Sequence, residues 1–262
     1  MALAVLMGYF SVLFFVTLYF QRVHGYTASQ TGVRLLALTG VMGISAFAGS
    51  RAVAKIGPRV PLLIAALLSA AGLIGLSRLG PHTSYSSIWP FLALIGLGFG
   101  PAQTAFARAI VGGAPPGQGG IAGGMTSTAV QVGGLLGLSV LGSVIVSRVT
   151  STLPHKLTQA GVPTQLARQL QGNARSIAQG IVPIPRGLPA STNQAITKSD
   201  LLAFTAGLDT AMAIAAAIIL VTGIATFLAV GISARATRVA AVPSDTPREV
   251  VAEPSEPAQR AA

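Results

Sequence analysis

The chain has 262 residues, of which 52% are hydrophobic and 9% charged, with a mean hydropathy of +0.69. Soluble domains carry roughly 25% charged residues, so this chain lacks the polar surface to face water all round, and a bilayer is its expected solvent. The net charge of +11 does not point to nucleic acid, because the cations lie between apolar runs rather than in a basic stripe interleaved with aromatics, and the absence of cysteine excludes disulfide and thiolate chemistry.

A membrane helix needs about 20 mostly apolar residues to cross roughly 30 Å of hydrocarbon. Six stretches meet that length, at about 2–20, 31–50, 60–77, 88–111, 121–147 and 203–233. They are continuous rather than alternating, which excludes barrel strands, so the predicted fold is all-α and polytopic. The first stretch has no basic segment before it and is followed by further long spans, so it does not read as a cleaved signal peptide. Its start almost at Met1 reads as a chain cut, or a start assigned, just before a membrane helix.

The segment after the first span, around His24, and the one after the third, around His82, are short and polar. The segment after the second span carries Arg51, Lys55 and Arg59, and Arg108 lies at the end of the fourth. The positive-inside rule puts the cation-rich segments in the cytoplasm. Both termini are then cytoplasmic and the histidine loops external, in a cell inner (plasma) membrane. Residues 150–199 form a long external loop, in which Leu166, Leu170, Ala174, Ile177 and Ile181 share one face of a short amphipathic helix, with a mobile loop as the other reading. Pro183, Pro185 and Pro189 prevent that helix from continuing. The tail at 234–262 is rich in Pro, Ala, Glu and Ser and reads as disordered.

Within the spans, Gly96–Gly100, Gly120–Gly124 and Gly133–Gly137 are pairs of small residues at a spacing that favours close helix packing. On the fifth span, Gly120, Gly124, Ser127, Gln131 and Gly134 share one face. A mid-membrane Gln131 requires either a hydrogen-bond partner on another helix or a wet cavity. Pro101 removes a backbone donor in the fourth span and marks a kink. Asp209 is the one carboxylate within a predicted span; its two readings are a proton-coupling acid and an interfacial residue near the outer end of the sixth span. Enzyme chemistry finds no support. The histidines fall outside the spans, no two acids share one, and there is no phosphate-binding loop or metal-ligand cluster, so neither a metal nor another cofactor is expected.

The segment Ser50–Arg59 resembles the G-x-x-x-D-R-x-G-R-R-like loop motif of the major facilitator superfamily, with Lys55, Gly57 and Arg59 matching, the leading glycine displaced to Gly49, and Ala54 in the acidic place. Residues 18–36 and 120–145 are similar to the fourteen-helix drug:proton antiporter branch of multidrug exporters. In the second stretch Gly120, Ala122, Gly124, Thr128, Gln131, Gly133, Gly134 and Gly137 match, while Ser127 replaces Asn and Val130 replaces Arg. The likeness extends over about 7–232 and aligns with the last six helices of that branch. It does not include the helices that carry the branch's titrating acids and antiporter motif.

This resemblance implies one six-helix bundle, equivalent to the carboxyl-terminal half of a proton-coupled exporter of lipophilic drugs or metabolites. Such a half works with an amino-terminal half, a separate partner chain or a second copy. The resemblance also implies that the first, second, fourth and fifth helices line a central cavity, which adds Tyr9, Tyr19, Gln103 and Thr104 to Ser127 and Gln131 as lining candidates. For Arg51, Lys55, Gly57 and Arg59 it implies a cytoplasmic gating role, beside the plainer one of topology and lipid headgroup contact. The alternative is a non-transporting membrane scaffold or partner subunit, including the remnant of a truncated transporter gene.

Overall fold

A computed structural model describes residues 2–57, 59–112, 115, 117–163 and 189–240. These residues form six helices and no strand: α1 (Ala2–Val23), α2 (Ala28–Ile56), α3 (Arg59–Leu76), α4 (Tyr85–Gly112), α5 (Gly119–Gln159) and α6 (Ala190–Ala240). Helices are the open-chain solution in lipid because each satisfies its own backbone hydrogen bonds. Five of the six are long and apolar enough to cross a membrane, and α1 contributes the shorter apolar segment Met7–Val23. The chain is an all-α polytopic bundle.

Helix α4 is the organising element. It packs along α2 on one side and along α3 on the other, while α2 and α3 barely touch each other. The sequence Gly96-Leu97-Gly98-Phe99-Gly100 makes this possible. A Cβ at Gly96 would strike the Leu38 carbonyl of α2, one at Gly100 would strike Ser45 of α2, and one at Gly98 would strike Ser69 and the Ala65 carbonyl of α3. Alternate glycines thus let α4 approach a different neighbour on each flank. Ser45 strengthens the contact by donating from Oγ to the Gly96 carbonyl at 2.8 Å. Helix α4 stays helical through Pro90 and Pro101, and Pro101 packs against Gly49 of α2. The bundle closes through α3 against α6, α6 against α5, and α5 against α1. At the last of these, Gly137 meets the Met7 backbone and Ser11, and Gly134 meets the Phe10 ring.

Polar contacts define the two ends. At one end, Arg22 pairs with Asp200 across α1 and α6, and the Arg22 guanidinium lies 4.9 Å from the centre of the Phe204 ring. Beside them, Tyr19 Oη donates to the Gly80 carbonyl at 2.8 Å, and Tyr85 Oη donates to the Arg34 carbonyl at 2.9 Å. Helix α2 starts in a capping box in which Thr27 and Gln30 exchange side-chain and backbone hydrogen bonds. At the opposite end, Arg108 Nη2 donates to Ser50 Oγ at 2.6 Å, and Arg59 Nε donates to the Phe227 carbonyl at 3.1 Å.

The helices overrun the apolar stretches. Helix α5 continues past residue 150 to Gln159 because Val149, Leu153 and Leu157 keep one face buried, and α6 begins at Ala190 with Ile196 in the core. The amphipathic helix expected around Leu166–Ile181 lies outside the described residues, as does the tail from position 241.

Two predictions follow the geometry. Gly57 joins α2 to α3 with φ 80° and ψ 171°, a region open essentially to glycine alone. Gly57→Ala is expected to destabilise the bundle by about 1–3 kcal/mol, read as a lowered thermal midpoint of the detergent-solubilised chain. Asp200→Ala removes the carboxylate that pairs with the shielded Arg22 guanidinium and is expected to cost about 3–5 kcal/mol. The pair Arg22→Leu with Asp200→Leu should recover most of that loss. A double variant no better than the single one would show that the ion pair itself holds α1 to α6.

Candidate functional site

The expected cavity residues divide into two groups. Tyr19 is fully buried, and its hydroxyl is committed to Gly80. Its ring sits in a cluster that closes the Arg22–Asp200 end between α1, α2 and α4. In that cluster His24 Nε2 lies 3.4 Å from Tyr19 Oη and stacks on Tyr26 at 5.2 Å. The Arg34 guanidinium covers Tyr26 at 3.8 Å, and Phe20 lies 6.0 Å from Tyr85. Burial, and then the charge of Arg34, hold the His24 imidazole below its ordinary pKa, so the ring is neutral at neutral pH. Tyr9 is half-buried and packs edge-on against Phe99 of α4 at 5.3 Å. Thr104 turns its hydroxyl back to the Pro101 carbonyl at 3.0 Å. These three residues serve the packing of this bundle.

Gln103, Ser127 and Gln131 are exposed. On α5, Gly120, Gly123, Gly124, Ser127, Thr128 and Gln131 form an open face, and a Cβ at any of those three glycines would meet nothing within 4 Å. Of the three pairs of small residues, Gly96–Gly100 and Gly133–Gly137 therefore meet neighbours within the chain, whereas Gly120–Gly124 does not. The structure does not gather the six cavity candidates into one enclosed site. Two recesses, of about 520 and 560 Å³, lie elsewhere: one between α2, α3 and α4, the other beside His82, Asn193 and Lys198.

Asp209 lies well inside helix α6 rather than near its start. Helix α6 begins at Ala190 rather than near residue 203, which sets Asp209 about 14 Å along the helix from Asp200, at 1.5 Å per residue. Asp200 pairs with Arg22 at one end of α1, and Ile219 lies against Gly8 near the other, so Asp209 falls within the length of α1. It is half-buried, and its Oδ1 is shielded with no hydrogen-bond partner.

The gating-loop candidates sit together at the opposite end. Arg51, Lys55 and Arg59 are exposed, on either side of the turn at Gly57. Arg51 lies over the Phe47 ring at 3.7 Å and Arg59 over Phe227 at 4.1 Å. The Arg22–Asp200 pair was not anticipated. Its signal was Asp200 being the first acid in the chain, which near a membrane requires a cation.

Residues 1–138, more than half of the chain, match the sequence profile of the family described as Major Facilitator Superfamily. Among curated proteins the chain is 36% identical over 211 residues to the tetracenomycin C resistance and export protein of Streptomyces glaucescens, covering 80% of this chain and 39% of that protein. It is 30% identical over 181 residues to the multidrug resistance protein Stp of Mycobacterium tuberculosis, covering 66% of this chain and 33% of that protein. It is also 36% identical over 146 residues to the puromycin resistance protein pur8 of Streptomyces alboniger, covering 52% of this chain and 28% of that protein. The chain thus spans about two-fifths or less of the length of these relatives.

Proposed function

The chain belongs to the major facilitator superfamily, and from that premise we propose that it forms one six-helix bundle of an exporter of lipophilic drugs or metabolites, driven by proton exchange. Relatives named for resistance and export support the reading. The observation that carries it is the open face of α5. Ser127 and Gln131 lie exposed beside glycines that no described helix of this chain approaches. A polar amide on a membrane helix needs a wet cavity or a partner, and a second bundle facing α5 supplies both.

Transport then follows from rocking of the two bundles about a midplane cavity. The second bundle comes from the rest of a longer chain, a separate chain or a second copy. The Arg51–Arg59 end faces the cytoplasm across the inner (plasma) membrane, and its cations brace the α2–α3 turn as the bundles move. Asp209, an intramembrane carboxylate with a shielded and unpartnered oxygen, is the group in this bundle placed to exchange a proton; Asp200 is already paired with Arg22.

A chimaera tests the reading. The aligned region of the Streptomyces glaucescens export protein is replaced by this chain, and efflux of tetracenomycin C from energised cells is measured with and without a protonophore. Protonophore-sensitive efflux is expected from the chimaera and none from this chain expressed alone. Gln131→Ala should lower efflux with membrane protein level unchanged, and Asp209→Asn should abolish it. A chimaera inserted at the parent's level but transporting nothing would leave the scaffold reading in possession.

Orientation is checked separately, using single cysteines introduced into this cysteine-free chain. Lys55→Cys is expected to resist an impermeant thiol reagent added to whole cells, and His82→Cys to react with it. The reverse pattern would invert the topology.

A further inference from the structure

Helices α2 and α3 both pack on α4 but barely touch each other, and the gap between them is a cleft of about 520 Å³ floored by Leu97 and Pro101. We propose that this cleft seats an acyl chain of an anionic phospholipid, whose phosphate is held at the mouth by Arg51 and Lys55. The inference does not depend on transport.

Three observations select this occupant. The first is shape. The α2 wall runs from Val41 to Ile56, about 22 Å at 1.5 Å per residue. The cleft of about 520 Å³ runs along that wall and is open to the surroundings, a shape that takes an extended hydrocarbon tail. The second is chemistry. The one hydroxyl in the lining, Ser45, is already bonded to the Gly96 carbonyl, so the cleft offers hydrocarbon and no polar recognition.

The third is charge. Arg51 and Lys55 each follow a wall residue, Ile44 and Ala48, by seven positions, which keeps them on the same face of α2. Arg59, at the start of α3, is turned instead to α6, where it bonds to the Phe227 carbonyl. All three are exposed. Among the described residues the carboxylates are Asp200 and Asp209, and neither lies at this end. The compensating anion therefore comes from outside the described bundle, and a headgroup phosphate directly above an inserted tail matches the arrangement.

The probe is the full chain carrying Trp89→Phe and Ile64→Trp, which moves its one tryptophan onto the exposed α3 wall. It is reconstituted into mixed vesicles in which the bromine-labelled lipid is either phosphatidylglycerol or phosphatidylcholine at equal mole fraction. Quenching is expected to report a several-fold preference for phosphatidylglycerol. Arg51→Gln and Lys55→Gln should each reduce it on the order of five-fold, the attraction of one cation to an anionic headgroup layer. If either cation variant fails to fold, Ala48→Leu narrows the cleft with the cations intact and should lower quenching by both lipids. Equal quenching by the two lipids, or a preference indifferent to the cations, would overturn the proposal. So would quenching by neither, which would mean that protein fills the cleft.

Discussion

The approach of backbones at Gly96, Gly98 and Gly100 is the constraint on which the rest of the bundle depends. In a bilayer the lipid is as apolar as the helix surfaces, so burial of hydrocarbon alone does not bring helices together. Close packing does, and it requires that side chains be absent where helices meet. By placing glycines on two flanks, α4 fits α2 against one and α3 against the other. The same arrangement holds α2 and α3 apart, so the cleft between them is a geometric result of how α4 is built.

The two ends of the bundle are secured by different means. At the His24 end, an ion pair and an aromatic cluster join α1, α2, α4 and α6, and Tyr19 and Tyr85 donate to backbone carbonyls. At the Arg59 end, guanidinium groups bond to a hydroxyl and a carbonyl oxygen, and no carboxylate among the described residues balances them.

The open face of α5 reflects the same economy. Gly134 and Gly137 serve contact with α1, whereas Gly120 and Gly124 meet nothing among the described residues. Both groups read alike in the sequence, because small residues at helical spacing mark a close approach without naming what approaches. Gln131 had two readings for the same reason, and among the described residues it is exposed. Tyr19 shows the opposite limit: it was legible as an aromatic on a cavity-lining helix, yet it is buried with its hydroxyl bonded to Gly80.

The sequence by itself determined the solvent, the fold class and the family, because these depend on totals and periodicities along the chain: apolar length, scarcity of charge, and glycines at fixed spacing. It also determined that Arg51, Lys55 and Arg59 belong together, since they are neighbours in the chain. Only the tertiary structure decided which glycines are occupied by neighbours, that Arg22 answers Asp200 from 178 positions away, and that α6 begins at Ala190, ahead of its apolar stretch. Each of these depends on the rotation and register of one helix against another, which is settled by packing between distant segments and leaves no periodic trace in either of them.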